Sequence, residues 1–258
     1  MKQETLLLHE RHALILRQLA ANGRVIAAQL AQDLHVTEDT VRRDLRDLAA
    51  AGHCQKVYGG ALRMAAAPEA GSLSQRVTRQ GPDKAHLAQA AVTLVKAGDV
   101  LFLDAGSSNL AVARALPNVA LSVITNAPLI ASCLVDLPHI ELIMVGGRIK
   151  PGIGASVGAG ALRDIALMRP DLYFLGACGV DLAAGITAVD FEEAELKRSL
   201  AALSKATAVL ATADKLGVVA PYLVLPLSQL THLVVPAHVD DARVDAYSAA
   251  GAKLLRGA

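Results

Sequence analysis

Three cysteines in 258 residues, Cys54, Cys133 and Cys178, lie far apart. That spacing excludes a disulfide framework, and none of them stands at a metal-binding interval from another. The eight histidines are scattered as well. No metal and no cofactor is therefore expected. Aromatic residues make up 3% of the chain and tryptophan is absent, so a core must be built from Ala, Leu and Val. An excess of one charge is lacking too. The 25 Lys and Arg residues face 24 Asp and Glu, for a formal net charge of +1. A basic coat is excluded, and any nucleic-acid contact must come from local arginines. Lys2, Glu4, Glu10 and Arg11 near the start leave no secretory signal to expect, and a reducing, cytoplasmic setting fits. Residues 216–236 contain no Asp, Glu, Lys or Arg. Pro221 and Pro226, with Ser228, Gln229, Thr231 and His232, argue against a membrane helix there, and no membrane partner is expected.

What is present is apolar substance. The chain is 53% hydrophobic and 19% charged, enough for a sizeable core in one large or two ordinary domains.

Residues 37–48 read as one helix. Val41, Leu45 and Leu48 recur at i, i+4 and i+7 and form an apolar stripe. Thr37 suits the N-cap, and Glu38 and Asp39 suit the positive end of the helix dipole. Arg42, Arg43 and Arg46 project away from the stripe. Asp39 stands four residues before Arg43 and is placed to hold it, while Arg42 and Arg46 make a local positive face. Residues 25–34 read as a second short helix with Ile26, Leu30 and Leu34 on one side. His35-Val36 is the connection left between them. Two short amphipathic helices joined so tightly, the second carrying arginines, form the helix-turn-helix pattern. The N-terminal half of the second helix, with Thr37, Glu38 and Thr40, would face base edges in the major groove. Its arginines can donate in pairs to guanine or to phosphate. A solvated helix in a small bundle is the plain alternative.

Residues 4–21 read as a first helix, ended by Asn22-Gly23 as a left-handed cap. Gly52 stops the third. Gly59-Gly60 between two short runs signals a hairpin. Such a hairpin would be a wing, with Lys56, Tyr58 and Arg63 reaching phosphates or a minor groove.

Residues 11–62 closely resemble the winged helix-turn-helix of the DeoR family of bacterial transcriptional regulators. The run Val36-Thr37-Glu38-Asp39-Thr40-Val41-Arg42-Arg43-Asp44-Leu45 carries the resemblance, with Leu48, Gly52 and Tyr58-Gly59-Gly60-Ala61 after it. The family usually has His where Tyr58 stands.

Residues 64–83 read as a linker. Residues 65–72 are small and breaker-rich, Gly81-Pro82 is a second break, and a short helical or extended piece fills 73–79. Arg76 and Lys84 match family positions; solvated charges are the alternative for both.

From residue 84 onward helices alternate with apolar strands. Helices are expected over 84–96, 109–116, 127–134, 158–168, 191–203 and 239–250. Strands are expected over 100–104, 121–125, 140–145, 172–175, 206–211 and 233–235. The strands are continuous apolar runs without alternation, the mark of a mostly parallel sheet covered on both faces. Ligands bind outside the carboxyl ends of such strands.

Asp104-Ala105-Gly106-Ser107-Ser108-Asn109 follows the first of these strands and opens a helix. Gly106 allows close approach. The amides and hydroxyls of Ser107 and Ser108 can donate to an anion at the helix N-terminus. It is neither a P-loop nor a dinucleotide fingerprint, since neither motif's glycine pattern is there. An ordinary strand-to-helix turn is the alternative. Thr125-Asn126, Gly146-Gly147-Arg148 and Gly176-Ala177-Cys178-Gly179 end other strands and would share a crevice. Glu193 and Lys197 stand at i and i+4, a surface ion pair or a ligand for sugar hydroxyls. Lys215 after the sixth strand can meet a phosphate as a point charge.

This portion, about 84–236, resembles the DeoR-type sensor domain, whose fold is shared with ribose-5-phosphate isomerase and CoA transferases. The matching residues are Asp104, Gly106, Ser107, Ser108, Thr125-Asn126, Gly146-Gly147, Gly176 and Gly179. They continue with Gly185, Thr187, Asp190, Glu193-Ala194, Lys197 and Lys215-Leu216-Gly217. Asn109 departs from a frequent Thr, and Thr212-Ala213-Asp214 from the commoner Asp-Ser-Ser.

The two resemblances imply an α/β chain in three parts. A winged helix-turn-helix over 1–63 and a linker over 64–83 would precede a Rossmann-like, mostly parallel sensor over 84–258. They imply a DNA-binding repressor of sugar or polyol catabolism. It would act on double-stranded operator DNA as a homodimer or homotetramer under a phosphorylated sugar effector. The effector residues would be Asp104, Gly106, Ser107, Ser108, Asn126, Gly147, Arg148, Glu193, Lys197 and Lys215. The rival is a sugar-phosphate isomerase with an appended helix-turn-helix, using Glu193 or Asp190 as base.

Overall fold

The N-terminal residues fold around a small apolar cluster. Ile15 and Leu19 of α1 (Leu8–Asn22) meet Leu30 of α2 (Ala27–Asp33) and Val41, Leu45 and Leu48 of α3 (Glu38–Ala50). The computed structural model describes residues 8–50, 53–57, 59–63, 73–78 and 81–258. The helix start expected at Glu4, the stop at Gly52, Tyr58 and linker residues 64–72 and 79–80 lie outside the described residues.

Val25 and Ile26, expected in the second helix, belong instead to a strand, β1 (Arg24–Ile26). It pairs antiparallel with β3 (Gly60–Arg63), which also pairs with β2 (Cys54–Val57) across the expected hairpin. Two β-branched residues favour the extended backbone. Gly60 lets the strand in: a Cβ there would stand 2.0 Å from the Val25 carbonyl oxygen. Ile26 is 56% exposed as a result, and Leu30 alone of the expected stripe is fully buried.

After the head comes a short helix, α4 (Leu73–Thr78), then α5 (Gly81–Ala91). Gly81-Pro82 opens this helix rather than forming a loop. Proline is tolerated in a first turn, where its missing N–H has no partner to lose. Lys84 is not a solvated charge. It is buried, and its ammonium donates to the Arg76 carbonyl at 2.6 Å.

The remaining chain forms β4 (Val100–Leu103), α6 (Ser107–Ala115), β5 (Leu121–Thr125), α7 (Pro128–Leu134) and β6 (Ile140–Met144). Then come β7 (Arg148–Lys150), β8 (Ala155–Val157), α8 (Ala159–Ile165), β9 (Leu172–Leu175), β10 (Gly179–Asp181) and β11 (Gly185–Ala188). It ends with α9 (Phe191–Leu203), β12 (Ala206–Leu210), β13 (Tyr222–Leu225), β14 (His232–Pro236), α10 (Asp241–Ala249) and β15 (Lys253–Gly257).

Seven strands make one parallel sheet in the order β15, β14, β12, β9, β4, β5, β6. Both faces are covered, as the unalternating apolar runs require. Leu101 and Leu103 join the core with α5, α6 and α7, and Phe102 between them joins the core with α8, α9 and α10. The short strands β7, β8, β10, β11, β13 and β15 were not expected; runs of three to five residues are too short to show a period. β13 and β14 occupy the charge-free stretch 216–236. Among the described residues, no helix is long and apolar enough to cross a membrane.

Strand order fixes where a ligand can enter. From β4 the chain steps to β5 and β6 on one side, then to β9, β12, β14 and β15 on the other. The direction reverses between β4 and β9, and a crevice opens at their carboxyl ends.

Candidate functional site

The head presents α3 to solvent. Thr37 caps it, its hydroxyl accepting from the Thr40 amide at 3.2 Å and lying 2.8 Å from the Thr40 hydroxyl. Arg42, Arg43 and Arg46 are all exposed. Among the described residues no ion pair joins Asp39 to Arg43, and Glu38 instead holds Arg42 at 2.7 Å. A groove of about 540 Å³ brings Glu38 and Arg42 together with Lys56 of β2. Arg63 lies in β3, and its side chain is outside the described residues.

Asp44 does not join the arginines. It faces inward, and Arg11 of α1 donates to both of its oxygens, at 2.8 and 3.1 Å. Its place was readable: Val41, Asp44, Leu45 and Leu48 stand at i, i+3, i+4 and i+7. A charge on that stripe calls for a buried partner.

The crevice between β4 and β9 contains a cavity of about 50 Å³. Gly106, Ser107 and Ser108 line it from β4, Gly176 and Cys178 from β9, Glu193 and Lys197 from α9, Lys215 from the turn after β12, and Arg76 from α4. A Cβ at Gly106 would meet nothing within 4 Å, so that position faces open space. The Ser108 hydroxyl is buried and has no partner among the described residues. The Lys215 side chain has no hydrogen bond or ion pair there either, and it is only part-buried. A free donor, a free cation and a helix N-terminus thus converge on a space a few water molecules wide. That combination suits a compact anion.

Beneath the cavity lies a closed charge network. Lys197 is fully buried, 2.7 Å from Glu193 and 3.1 Å from Asp104, and donates to the Gly176 carbonyl. Burial alone would push its ammonium down, but the two carboxylates outweigh that and hold it above its ordinary value. Asp104 is satisfied on both oxygens: Oδ1 accepts from the Ala105 amide at 2.8 Å, and Oδ2 from Tyr173 at 3.2 Å and the Gly176 amide at 3.0 Å. Burial, then Asp104, drive the Tyr173 phenol well above its usual range. Gly176 is required for this closeness, since a Cβ there would lie 2.6 Å from the Ala105 carbonyl oxygen. Asp104 is therefore a support behind the loop, not a lining residue.

Three expected residues stay outside the cavity. Asn126 donates to the Ser156 carbonyl at 3.2 Å, and its own Oδ1 is buried without a partner among the described residues. Gly147 packs near Ser156. Arg148 is bound at 2.7 Å by Glu192, one residue before Glu193. All three stand past the ends of β5 and β6, and none lines the cavity. Arg76 was missing from the expected effector set; Cys178, expected at a strand end sharing the crevice, does line the cavity, and burial pushes its thiol up.

Residues 11–66 match the family model of the DeoR-like helix-turn-helix domain, and residues 79–236 that of the DeoR C terminal sensor domain. The HTH-type transcriptional regulator GolR of Listeria innocua is 30% identical over 94% of this chain and 96% of its own. The HTH-type transcriptional repressor GlcR of Bacillus subtilis is 28% identical over 95% of each chain. The glycerol-3-phosphate regulon repressor of Escherichia coli is 27% identical over 81% of this chain and 82% of its own. Among solved structures, ribose 5-phosphate isomerase A from Methanocaldococcus jannaschii aligns at 20% identity over 53% of this chain and 54% of that one, with a TM-score of 0.39.

Proposed function

The chain belongs to the DeoR family of helix-turn-helix transcriptional regulators, and on that premise we propose that it represses genes of sugar or polyol catabolism under a phosphorylated sugar. The proposed parts are a winged head over 1–63, a linker over 64–83 and a sensor over 84–258. Two heads in a dimer or larger homo-oligomer bind operator half-sites. Thr37, Glu38, Thr40, Arg42, Arg43 and Arg46 face the major groove, and Lys56, Tyr58 and Arg63 face phosphates or the minor groove. The effector's phosphate lies on Gly106, Ser107 and Ser108 with Lys215 as counter-charge, and Glu193 and Lys197 face its sugar. The protein works in the cytoplasm.

One observation carries the sensor half. The Ser108 hydroxyl and the Lys215 ammonium, neither of them partnered among the described residues, line one cavity at the reversal point of the sheet. A buried hydroxyl without a partner is costly, and a bound oxyanion removes that cost. The names of two relatives support repression, and one of them, a glycerol-3-phosphate regulon repressor, names a phosphorylated compound. The enzyme reading needs Glu193 or Asp190 as a free base. The Glu193 carboxylate is bound by Lys197 at 2.7 Å, and Asp190 is held by Lys150 and accepts from the Glu193 amide, which favours a binding role.

Thermal denaturation of the full chain with phosphorylated sugars and with the same sugars unphosphorylated tests this. Stabilisation grows as RT ln(1 + [L]/Kd). At least one phosphorylated sugar should raise the midpoint and its parent sugar should not. No shift with any of them, or equal shifts from both forms, would overturn the reading.

A further inference from the structure

The head touches the sensor two residues from the cavity lysine. Gly23, the left-handed residue after α1, has φ 72°, and Gly217 has φ 68°. A Cβ built on Gly23 would stand 2.3 Å from the Gly217 carbonyl oxygen. Backbone meets backbone here, with no side chain between. Lys215, which lines the cavity, precedes Gly217 by two positions.

The turn that joins them is held from the sensor side. The Tyr247 hydroxyl accepts from the Gly217 amide at 3.0 Å and donates to the Val180 carbonyl at 3.0 Å. Arg243 donates to the Leu216 carbonyl at 2.6 Å. Beside the contact lies a cleft of about 640 Å³ between head and sensor. Ile26 lines its head wall and Leu182 its sensor wall, and both are exposed. The head has room to tilt about the contact, and apolar surface to bury by doing so.

Resting on the reading of Lys215 as the anion's counter-charge, we propose that the Lys215-Leu216-Gly217 turn is the pivot through which anion occupancy reaches the DNA-binding head. Charge neutralisation at Lys215 moves the turn's backbone slightly. A flexible side chain at the contact would absorb that movement, whereas two apposed glycines transmit it. Packed interfaces respond to such small shifts by switching between arrangements. A new tilt of α3 then changes operator affinity, provided the anion binds the two arrangements unequally.

Hydrogen exchange of the full chain, with and without inorganic phosphate at matched ionic strength, tests the pivot. The variants are Gly23→Asn and Tyr247→Phe. Asn accepts a positive φ, so the α1 cap survives, but its Cβ must push Gly217 away. Tyr247→Phe loosens the turn without touching the head. In the unaltered protein, phosphate should slow exchange severalfold at amides 106–110 and also change exchange at 22–26. In both variants the first response should persist and the second should fall severalfold. Protection at 106–110 with an equal response at 22–26 in all three proteins, or with none in any, overturns the pivot. Absence of protection at 106–110 in the unaltered protein overturns instead the anion site on which it rests.

Discussion

Asp44 sits between Arg43 and Leu45 on α3, the helix proposed to face DNA, yet its carboxylate turns inward, where Arg11 of α1 grips it at 2.8 and 3.1 Å. The pair fixes the angle between the first and third helices, and so the direction in which the exposed arginines point. Hydrogen bonding to Asp44 raises the Arg11 guanidinium above its ordinary value. Removing one member of a buried pair costs far more than the pair contributes. Asp44→Ala should destabilise the head by about 3 kcal/mol, as read by chemical denaturation. A loss within the scatter of surface substitutions would mean that the grip is not structural.

Ser108 gives a prediction with two opposite signs. Its hydroxyl lacks a partner among the described residues, so Ser108→Ala should stabilise the ligand-free protein by about 1 kcal/mol. The same change should reduce the midpoint shift produced by a phosphorylated sugar. Lower stability without ligand together with an unchanged ligand shift would contradict the role given to this hydroxyl.

A third prediction concerns acid. Burial pushes the Asp190 carboxyl up, but the hydrogen bonds from Lys150 and from the Glu193 amide outweigh it and leave the carboxyl below its usual value. A carboxyl depressed on folding adds stability above its unfolded pKa, and that stability is lost as pH falls through the folded one. Part of the acid destabilisation below about pH 4 should therefore vanish in Asp190→Asn, which should also be less stable at neutral pH. An unchanged acid limb in denaturation curves would remove Asp190 from this account.

The sequence made some of this plain and hid the rest for identifiable reasons. The α3 stripe and the arginines off it were readable because a helix repeats its faces. The loop 104–109 was readable because a strand end, a glycine and two hydroxyls carry their own chemistry. Strand order is not written in local pattern, so Asn126, Gly147 and Arg148 could not be told from residues beside the reversal point. Likewise an i, i+4 spacing is the same for a surface ion pair and a buried one. Only the packing of α9 on β9 shows Lys197 enclosed between Glu193 and Asp104. Val25-Ile26 misled because a helical period and a short strand overlap there, and the deciding residue, Gly60, stands 35 positions downstream of Val25.

The central claim is that an anion at Ser108 and Lys215 governs how Arg42 and Arg43 hold DNA. Its most direct test is fluorescence anisotropy with labelled DNA from upstream of the protein's own gene, at fixed ionic strength. Arg43→Ala should weaken binding by about 1–3 kcal/mol and relax base preference. A phosphorylated sugar that stabilises the protein should change DNA affinity in the unaltered chain and leave it unchanged in Lys215→Ala. An equal change in both proteins would contradict the account, as would operator binding indifferent to Arg43.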